Sequence, residues 1–324
     1  MYLAPLTGVL IGAAYGYVAQ RGAFCMNSGF RVAVTERNTT KVKAYALAIA
    51  IQMLAVPLVF ALGLSSATYP AFFPVGAVLG GLLFGASMKW AGGCAAGVWY
   101  KGGAGSVGAL AALAGMAIGA ALLEHGPLVG LRTTLQSAGP SVRDAPIEGL
   151  WAWAPLAGLA LLAVLWRAAP GTAGAWSWRR TGIAIGIVGA IAWPASSIAA
   201  RDFGMAIVPG SVSLLIEPVA RFMTWDVLFV LGIPVGAFIA ARKDGPVTMG
   251  RASTADAAKR FAGGLGLGAG ASIAAGCTVG HGLTGVPLLA PGSIVAIIAI
   301  FAGSAITSVW GMRGNAHRRI AGAG

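Results

Sequence analysis

The three cysteines of this chain lie in short stretches rich in small residues: Ala23-Phe24-Cys25-Met26-Asn27-Ser28, Gly92-Gly93-Cys94-Ala95-Ala96-Gly97 and Ala275-Gly276-Cys277-Thr278-Val279-Gly280-His281. A thiol is small, soft and polarizable, and it donates only weak hydrogen bonds. Glycine lets backbone approach a neighbour or a ligand closely. Metal binding calls for Cys-x-x-Cys pairs or added histidines, and neither spacing occurs. His281 follows Cys277 on one helical face, while His125 and His317 complete no ligand set. A structural disulfide would leave one cysteine over, and thiol–disulfide catalysis finds no resolving partner close in sequence. Neutral thiols can hand along a soft, sulfur-bearing anion through S–H···S contacts, whereas a thiolate would repel a dianion. These residue types point to a sulfur-selective passage. For each cysteine taken singly, the plainer alternative is an inert buried side chain.

The elements that must hold these thiols are those of a membrane protein. The chain of 324 residues is 57% hydrophobic and 10% charged, with a mean hydropathy of +0.81. A soluble domain carries roughly a quarter charged residues. Apolar segments near the roughly 20 residues of a spanning helix fall at 3–20, 43–64, 72–90, 105–123, 150–167, 181–199, 226–242, 259–276 and 292–312. They predict about nine transmembrane helices. No basic stretch precedes the first, so no cleavable signal peptide is expected. With the N-terminus outside and the C-terminus cytoplasmic, seventeen Lys and Arg fall on the inner side, and only Arg132, Arg143, Arg201 and Arg221 on the outer. That asymmetry obeys the positive-inside rule. Glu124, Asp144, Glu148, Asp202, Glu217 and Asp226 make the outer segments slightly acidic. The net charge of +13 is therefore a topology signal, and its dispersal over short loops excludes a nucleic-acid surface. Arg21 stands apart at the end of the first apolar segment, four residues before Cys25, where it would face a polar cavity or snorkel to the interface. No Gly-x-x-x-x-Gly-Lys-Ser/Thr motif occurs, which excludes direct drive by ATP within this chain.

A diverged duplication organises the chain. Residues 80–102 overlay 263–285 at a constant offset of 183, with ten of twenty-three positions identical, Gly93-Cys94 falling on Gly276-Cys277. A weaker echo relates Gly8-Val9-Leu10-Ile11-Gly12 to Gly182-Ile183-Ala184-Ile185-Gly186, and no cysteine answers Cys25. The expected architecture is a single all-α transporter domain over 1–324, with repeat 1 at about 1–125 and repeat 2 at about 178–312. An odd number of spans between the copies makes the repeats inverted, an arrangement that puts a substrate site at the repeat interface. Gly93 and Gly276 precede thiols where apolar segments are interrupted, which predicts short re-entrant half-helices whose free N–H groups attract an anion. Gly80, Gly81, Gly85, Gly263, Gly264 and Gly268 read as close-packing positions.

Three blocks resemble the YeeE/YedE family of bacterial membrane proteins: Gln20 to Arg31 (QRGAFCMNSGFR), Ala91 to Gly97 (AGGCAAG) and Gly276 to Pro287 (GCTVGHGLTGVP). They occur in the family's order over nearly the whole chain, and the closest likeness is to the thiosulfate-uptake branch. One departure is Ala275, where a glycine is expected. The resemblance implies a non-enzymatic inner-membrane permease importing thiosulfate, with Cys25, Cys94 and Cys277 as relaying thiols and no cofactor or metal. Asn27, Ser28, Thr278 and His281 would then donate to the substrate oxygens. It also implies a separate cytosolic sulfur carrier of the TusA type, for which the basic stretch Arg242 to Arg260 is a candidate surface. Two alternatives stay open: another sulfur or selenium species carried by the same fold, and a membrane thiol–disulfide oxidoreductase.

Overall fold

The computed structural model describes residues 5–69, 72–139, 149–217 and 223–321, with the side chains of the last helix described as far as 311. Arg143, Asp144, Glu148 and Arg221 lie outside the described residues, as do positions 3 and 4 of the first apolar segment. Where water is excluded, a backbone must satisfy its own hydrogen bonds, and the chain does so almost wholly in helices. They are α1 (Leu6–Arg21), α2 (Met26–Thr35), α3 (Thr40–Ala61), α4 (Pro74–Ala91), α5 (Ala95–Gly103), α6 (Val107–Glu124), α7 (Val129–Ser137) and α8 (Ala154–Trp166). Then follow α9 (Trp178–Ser197), α10 (Val208–Ile216), α11 (Trp225–Arg242), α12 (Thr254–Ala274) and α13 (Pro291–Ala321). A two-residue hairpin pairs Thr172 with Ser177 and Ala173 with Trp176 ahead of α9.

A helix lies over each of the nine apolar segments. Among the described residues, five stretches are long and apolar enough to cross a membrane: α3, α6, α11, Pro291–Gly311 of α13, and Pro74–Gly103. The last of these contains α4, the break before Cys94, and α5. Helices α1 and α8 are shorter than such a span, and α9 and α12 begin with charged first turns that lower their apolarity. The short helices α2 and α5 follow Cys25 and Cys94. After Cys277 the expected short α-helix is a π-helical turn, Gly280–Gly285, and then a 3-10 turn, Val286–Leu288.

The long helices pack in a few close pairs. Helix α1 lies against α11, α3 against α9 and α8, α4 against both α12 and α13, and α12 against α6. Glycine makes these approaches possible. On α1, a Cβ at Gly8 would sit 2.6 Å from the Trp225 carbonyl oxygen, and one at Gly12 or Gly16 would run into the backbone of Phe229 or Ile233. From the other side, Gly232 and Gly236 of α11 face the backbone of Val9 and Ala13. The repeat glycines do the same. Gly80 meets α12 at Gly270 and Ala274, Gly81 and Gly85 meet α13, Gly263 meets the end of α4, and Gly264 and Gly268 meet α6. These seams bring the helices to backbone contact, as small residues do in membranes, and a few polar bonds cross them: Trp225 Nε1 donates to Thr7 Oγ1 at 3.2 Å between α11 and α1, and Lys89 Nζ to Thr307 O at 2.7 Å between α4 and α13. Gly12→Ala should overpack the α1–α11 seam by about 1–3 kcal/mol, lowering the melting temperature of the protein in detergent by several degrees. Gly130→Ala, where a Cβ meets nothing within 4 Å, should leave it unchanged or slightly raised; equal effects of the two substitutions would refute the seam.

Candidate functional site

All three cysteines are free and buried, at 2% exposure or less. Each stands at a helix break, and the breaks are built alike. Helix α4 ends in Gly92, whose φ of +74° is the left-handed conformation that closes a helix. Gly93 follows, and Cys94 then caps the N-terminus of α5. Helix α12 ends in Ala275 at φ +62°, Gly276 follows, and then Cys277. Ala275 falls on Gly92 at the repeat offset, so the glycine expected there is the left-handed C-cap, held here by an alanine. Helix α1 ends through Gly22 and Ala23, the latter at φ +44°, and Cys25 caps α2.

A broken helix leaves carbonyls on one side and N–H groups on the other. The carbonyl side is met by protein groups. Lys101 Nζ donates to the Gly92 oxygen at 2.6 Å. Arg132 Nε and Gln136 Nε2 donate to Ser272 O at 3.3 and 3.0 Å, and Gln136 Nε2 also reaches Ile273 O at 3.1 Å. His281 Nε2 lies 2.9 Å from Ala274 O, so this nitrogen carries the proton, and Nδ1 accepts from Ser293 Oγ at 3.0 Å. The N–H side faces the thiols. Cys25 lies beside the amides of Ser28 and Cys94, Cys94 beside those of Met26 and Gly97, and Cys277 beside those of Val279, Gly280 and Ile207.

Two thiols meet directly. Cys25 Sγ and Cys94 Sγ are 3.9 Å apart, although 69 residues separate them in the chain. Gly97 closes this junction, since a Cβ there would lie 2.7 Å from Cys25 Sγ and 3.3 Å from Cys94 Sγ. Cys277 instead lines a cavity of about 150 Å³ with Gly276, Gly280, Phe203, Ala206 and Ile207. The buried rings of Tyr15 and Tyr45 lie near both places. Tyr15 is an electrostatic neighbour of all three cysteines, and Tyr45 of Cys94 and Cys277. The Tyr45 hydroxyl donates to Thr278 O at 2.5 Å, while Thr278 Oγ1 is buried with no hydrogen-bond partner among the described residues.

The wall of the Cys277 cavity is pinned by polar bonds. Arg201 pairs with Asp226 at 2.6 Å and donates to Phe203 O and Gly204 O at 2.8 and 2.7 Å. Ser196 Oγ donates to Phe203 O at 2.6 Å, and Thr284 Oγ1 to Met205 O at 2.8 Å. Outside the helices, the Ser197 hydroxyl donates to Asp202 at 2.6 Å and holds that carboxyl below the ordinary aspartate range.

Of the polar residues singled out in the sequence, several are committed to the protein. Arg21 does not reach the thiols: it pairs with Asp244 at 2.5 Å, bracing the ends of α1 and α11. Both ring nitrogens of His281 are engaged, which makes it a brace between α12 and α13 and leaves it no donor for a substrate. Ser28 Oγ donates to Cys25 O at 3.0 Å and accepts from Lys41 Nζ at 2.7 Å. Asn27 is half-buried in the first turn of α2. Two lysines gain a place that sequence reading missed, because Lys41 and Lys101 resemble ordinary positive-inside residues. Both fold back toward Cys25, Lys41 through Ser28 and Lys101 as a charge close to the thiol. The lone signal was the spacing of Lys101, seven residues after Cys94 on the same short helix.

The family described as sulphur transport matches residues 21–306 of this chain. The thiosulfate transporter TsuA of Escherichia coli K12 is 33% identical over 309 residues, covering 87% of this chain and 88% of that protein. The thiosulfate transporter TsuA of Spirochaeta thermophila is 30% identical over 331 residues, covering 92% and 96%.

Gly97→Ala keeps a good helix former in α5 but drives a methyl group against the Cys25 sulfur. Overpacking of about 1–3 kcal/mol there should lower the melting temperature of the protein in detergent by several degrees. An unchanged melting temperature would contradict the closeness of Gly97 to the Cys25 sulfur. Ala275→Gly should relieve a left-handed strain of about 1–2 kcal/mol, offset by about 0.4–1 kcal/mol for the freer unfolded chain, so stability should rise slightly; a clearly lowered melting temperature would contradict that reading of the cap.

Proposed function

The chain belongs to the sulphur transport family, and from that premise we propose that it is an inner-membrane permease that imports thiosulfate. The observation that carries this reading is the 3.9 Å contact between Cys25 and Cys94, made where the N-termini of α2 and α5 converge. An anion of soft sulfur and hard oxygens matches such a place. Its terminal sulfur can accept from thiols, and its oxygens from the N–H groups of the broken helices. Thiosulfate would meet Cys277 in its cavity, receive a hydrogen bond from the unpartnered Thr278 hydroxyl, and pass by Tyr15 and Tyr45 to Cys94 and Cys25. Gly93 and Gly276 keep the backbone before each thiol bare of side chains. Asn27 and Ser28 lie at the α2 end of the route, and Lys41 and Lys101 supply positive charge there.

Two inverted repeats, about 1–125 and 178–312, suit this route. Exchanging α1 with α9, α3 with α11, α4 with α12 and α6 with α13 converts the α1–α11 packing into α9–α3. The same exchange turns α4–α13 into α12–α6, and the α4–α12 contact maps onto itself. A two-fold relation of this kind supports paired halves, and the Lys and Arg asymmetry supports nine spans with the N-terminus outside and the C-terminus inside. On the cytoplasmic side a separate carrier of the TusA type would collect the sulfur, with the stretch from Arg242 to Arg260 as its basic surface.

The same cysteine pair favours a second reading, thiol–disulfide exchange. Cys25 and Cys94 would together release two electrons and two protons to a partner disulfide, closing 3.9 Å to a bond of about 2.05 Å. The two readings separate experimentally. A bacterium lacking its own sulfate and thiosulfate uptake should grow on thiosulfate when it expresses this chain with a sulfur carrier. Cys94→Ala and Cys277→Ala should each cut uptake by about tenfold or more, a loss of about 1.4 kcal/mol in the rate-limiting passage. Growth surviving both substitutions would sink the thiol relay. Uptake unaffected by Cys277→Ala but abolished by oxidants that remove two free thiols would favour exchange, and competition by other sulfur or selenium anions would redefine the substrate.

A further inference from the structure

A groove of about 290 Å³ opens between α3, α8 and α9, away from the thiols. Its walls are Leu47, Ile51, Leu162, Leu165 and Ile183, and Arg179 and two tryptophans, Trp166 and Trp178, stand among its lining residues. Tryptophan gathers where hydrocarbon gives way to headgroups, so the exposed Trp166 and the half-buried Trp176 set this end of the three helices at headgroup level. At the same ends of the three helices stand four cations: Lys43 in the first turn of α3, Arg167 at the end of α8, and Arg179 and Arg180 opening α9. Among the described residues, Arg179, Lys43 and Arg180 contact uncharged groups. Arg179 donates to Trp166 O and Ala168 O at 3.2 and 3.3 Å, Lys43 to Ala169 O at 3.5 Å, and Arg180 lies 4.0 Å over the Trp176 ring. No Asp or Glu occurs between Glu36 and Glu124 or between Glu148 and Asp202, so α3, α8 and α9 contain no carboxylate at all. Four cations lacking a counter-ion in their own helices, at the headgroup ends of the helices that wall an apolar slot, ask for an anion that carries a hydrocarbon tail.

We propose that this groove binds an anionic glycerophospholipid, with one acyl chain between α3, α8 and α9 and its phosphate against Arg179, Arg180 and Lys43. A zwitterionic lipid would fill the slot equally but leave the charge unanswered. A free phosphate would answer the charge but leave the slot empty. Basic pockets between membrane helices select anionic headgroups by this combination. Helix α8 packs chiefly on α3, the helix that carries Tyr45 to Thr278, so the bound lipid would also fill the space beside a helix that serves the thiol site.

The test uses the full chain in detergent, titrated with phosphatidylglycerol or phosphatidylcholine of the same acyl chains and read by native mass spectrometry. The wild-type protein should retain phosphatidylglycerol well above phosphatidylcholine. Each positive charge is worth roughly fivefold in local affinity for an anionic headgroup, so Arg179→Gln with Arg180→Gln should cut phosphatidylglycerol retention roughly thirtyfold. Phosphatidylcholine retention should stay unchanged. Leu162→Trp, which fills the groove, should lower retention of both lipids. Should the double variant fail to fold, Lys43→Gln alone should still reduce phosphatidylglycerol binding roughly fivefold. Equal retention of the two lipids by the wild-type protein, or a preference that survives loss of the charges, overturns the proposal.

Discussion

A helix broken inside an apolar bundle exposes backbone donors and acceptors that water cannot reach, each costing about 1–3 kcal/mol if it stays unmet. This chain carries such a break before each of its cysteines, and the rest of the structure follows from how the two sides of each break are treated. Carbonyls are answered by side chains near and far along the chain: Lys101 at Gly92, Arg132 and Gln136 at the end of α12, His281 at Ala274. Amides are left facing sulfur, a weak acceptor that holds them loosely. On the proposed reading, a bundle that meets its acceptors more fully than its donors is suited to an incoming anion.

Holding the breaks open requires rigid surroundings, and the glycine seams provide them. Backbone contact between α1 and α11, and between α4 and its neighbours α12 and α13, fixes the helices whose ends form the breaks. The polar bonds that cross these seams, Trp225 to Thr7 and Lys89 to Thr307, use none of the amides beside the thiols. Other polar bonds hold the segments next to the thiols. Arg201 holds the strand of chain that runs into Ile207, and Tyr45 holds the carbonyl of Thr278 while leaving that residue's hydroxyl unpartnered. Division of labour between small residues and a few buried polar groups therefore separates what stabilises the bundle from what can bind.

Patterns local in sequence were legible, and those made by distant residues were not. The thiols, the glycines before them and the repeat offset could be read directly, and Gly92 beside Ala275 shows why: the motif encodes a left-handed helix end, which depends on one residue. The expectation of close packing at Gly80 or Gly268 holds for the same reason, since only glycine admits a backbone there. Sequence could not show that Cys25 touches Cys94, because the N-termini of α2 and α5 meet only through the packing of the helices around them. Neither reading of Arg21 could include its ion pair, because its partner Asp244 lies 223 residues away. His281, near a cysteine in sequence, turns its ring toward Ala274 and Ser293, a direction that a spacing of four residues does not determine. Lys41 and Lys101 were hidden by the topology signal, which gives every inner-side cation the same bland meaning.

The imperfection of the repeat has a physical consequence on the proposed reading. Ile207 caps α10 much as Cys25 caps α2, and its amide lies beside Cys277. One half of the molecule therefore offers two touching thiols with Lys41 and Lys101 nearby. The other offers a single thiol in an apolar cavity with an isoleucine where the second would stand. Backbone donors are alike at both places, so they bind a dianion without preferring a direction. The lysines break that balance, because two positive charges within the bundle lower the energy of a dianion at Cys25 more than at Cys277. Extra attraction of this kind must stop short of a trap, and here Lys101 is shared with the Gly92 carbonyl and Lys41 with Ser28. Lysines already engaged with neutral acceptors pull the anion forward and still let it go.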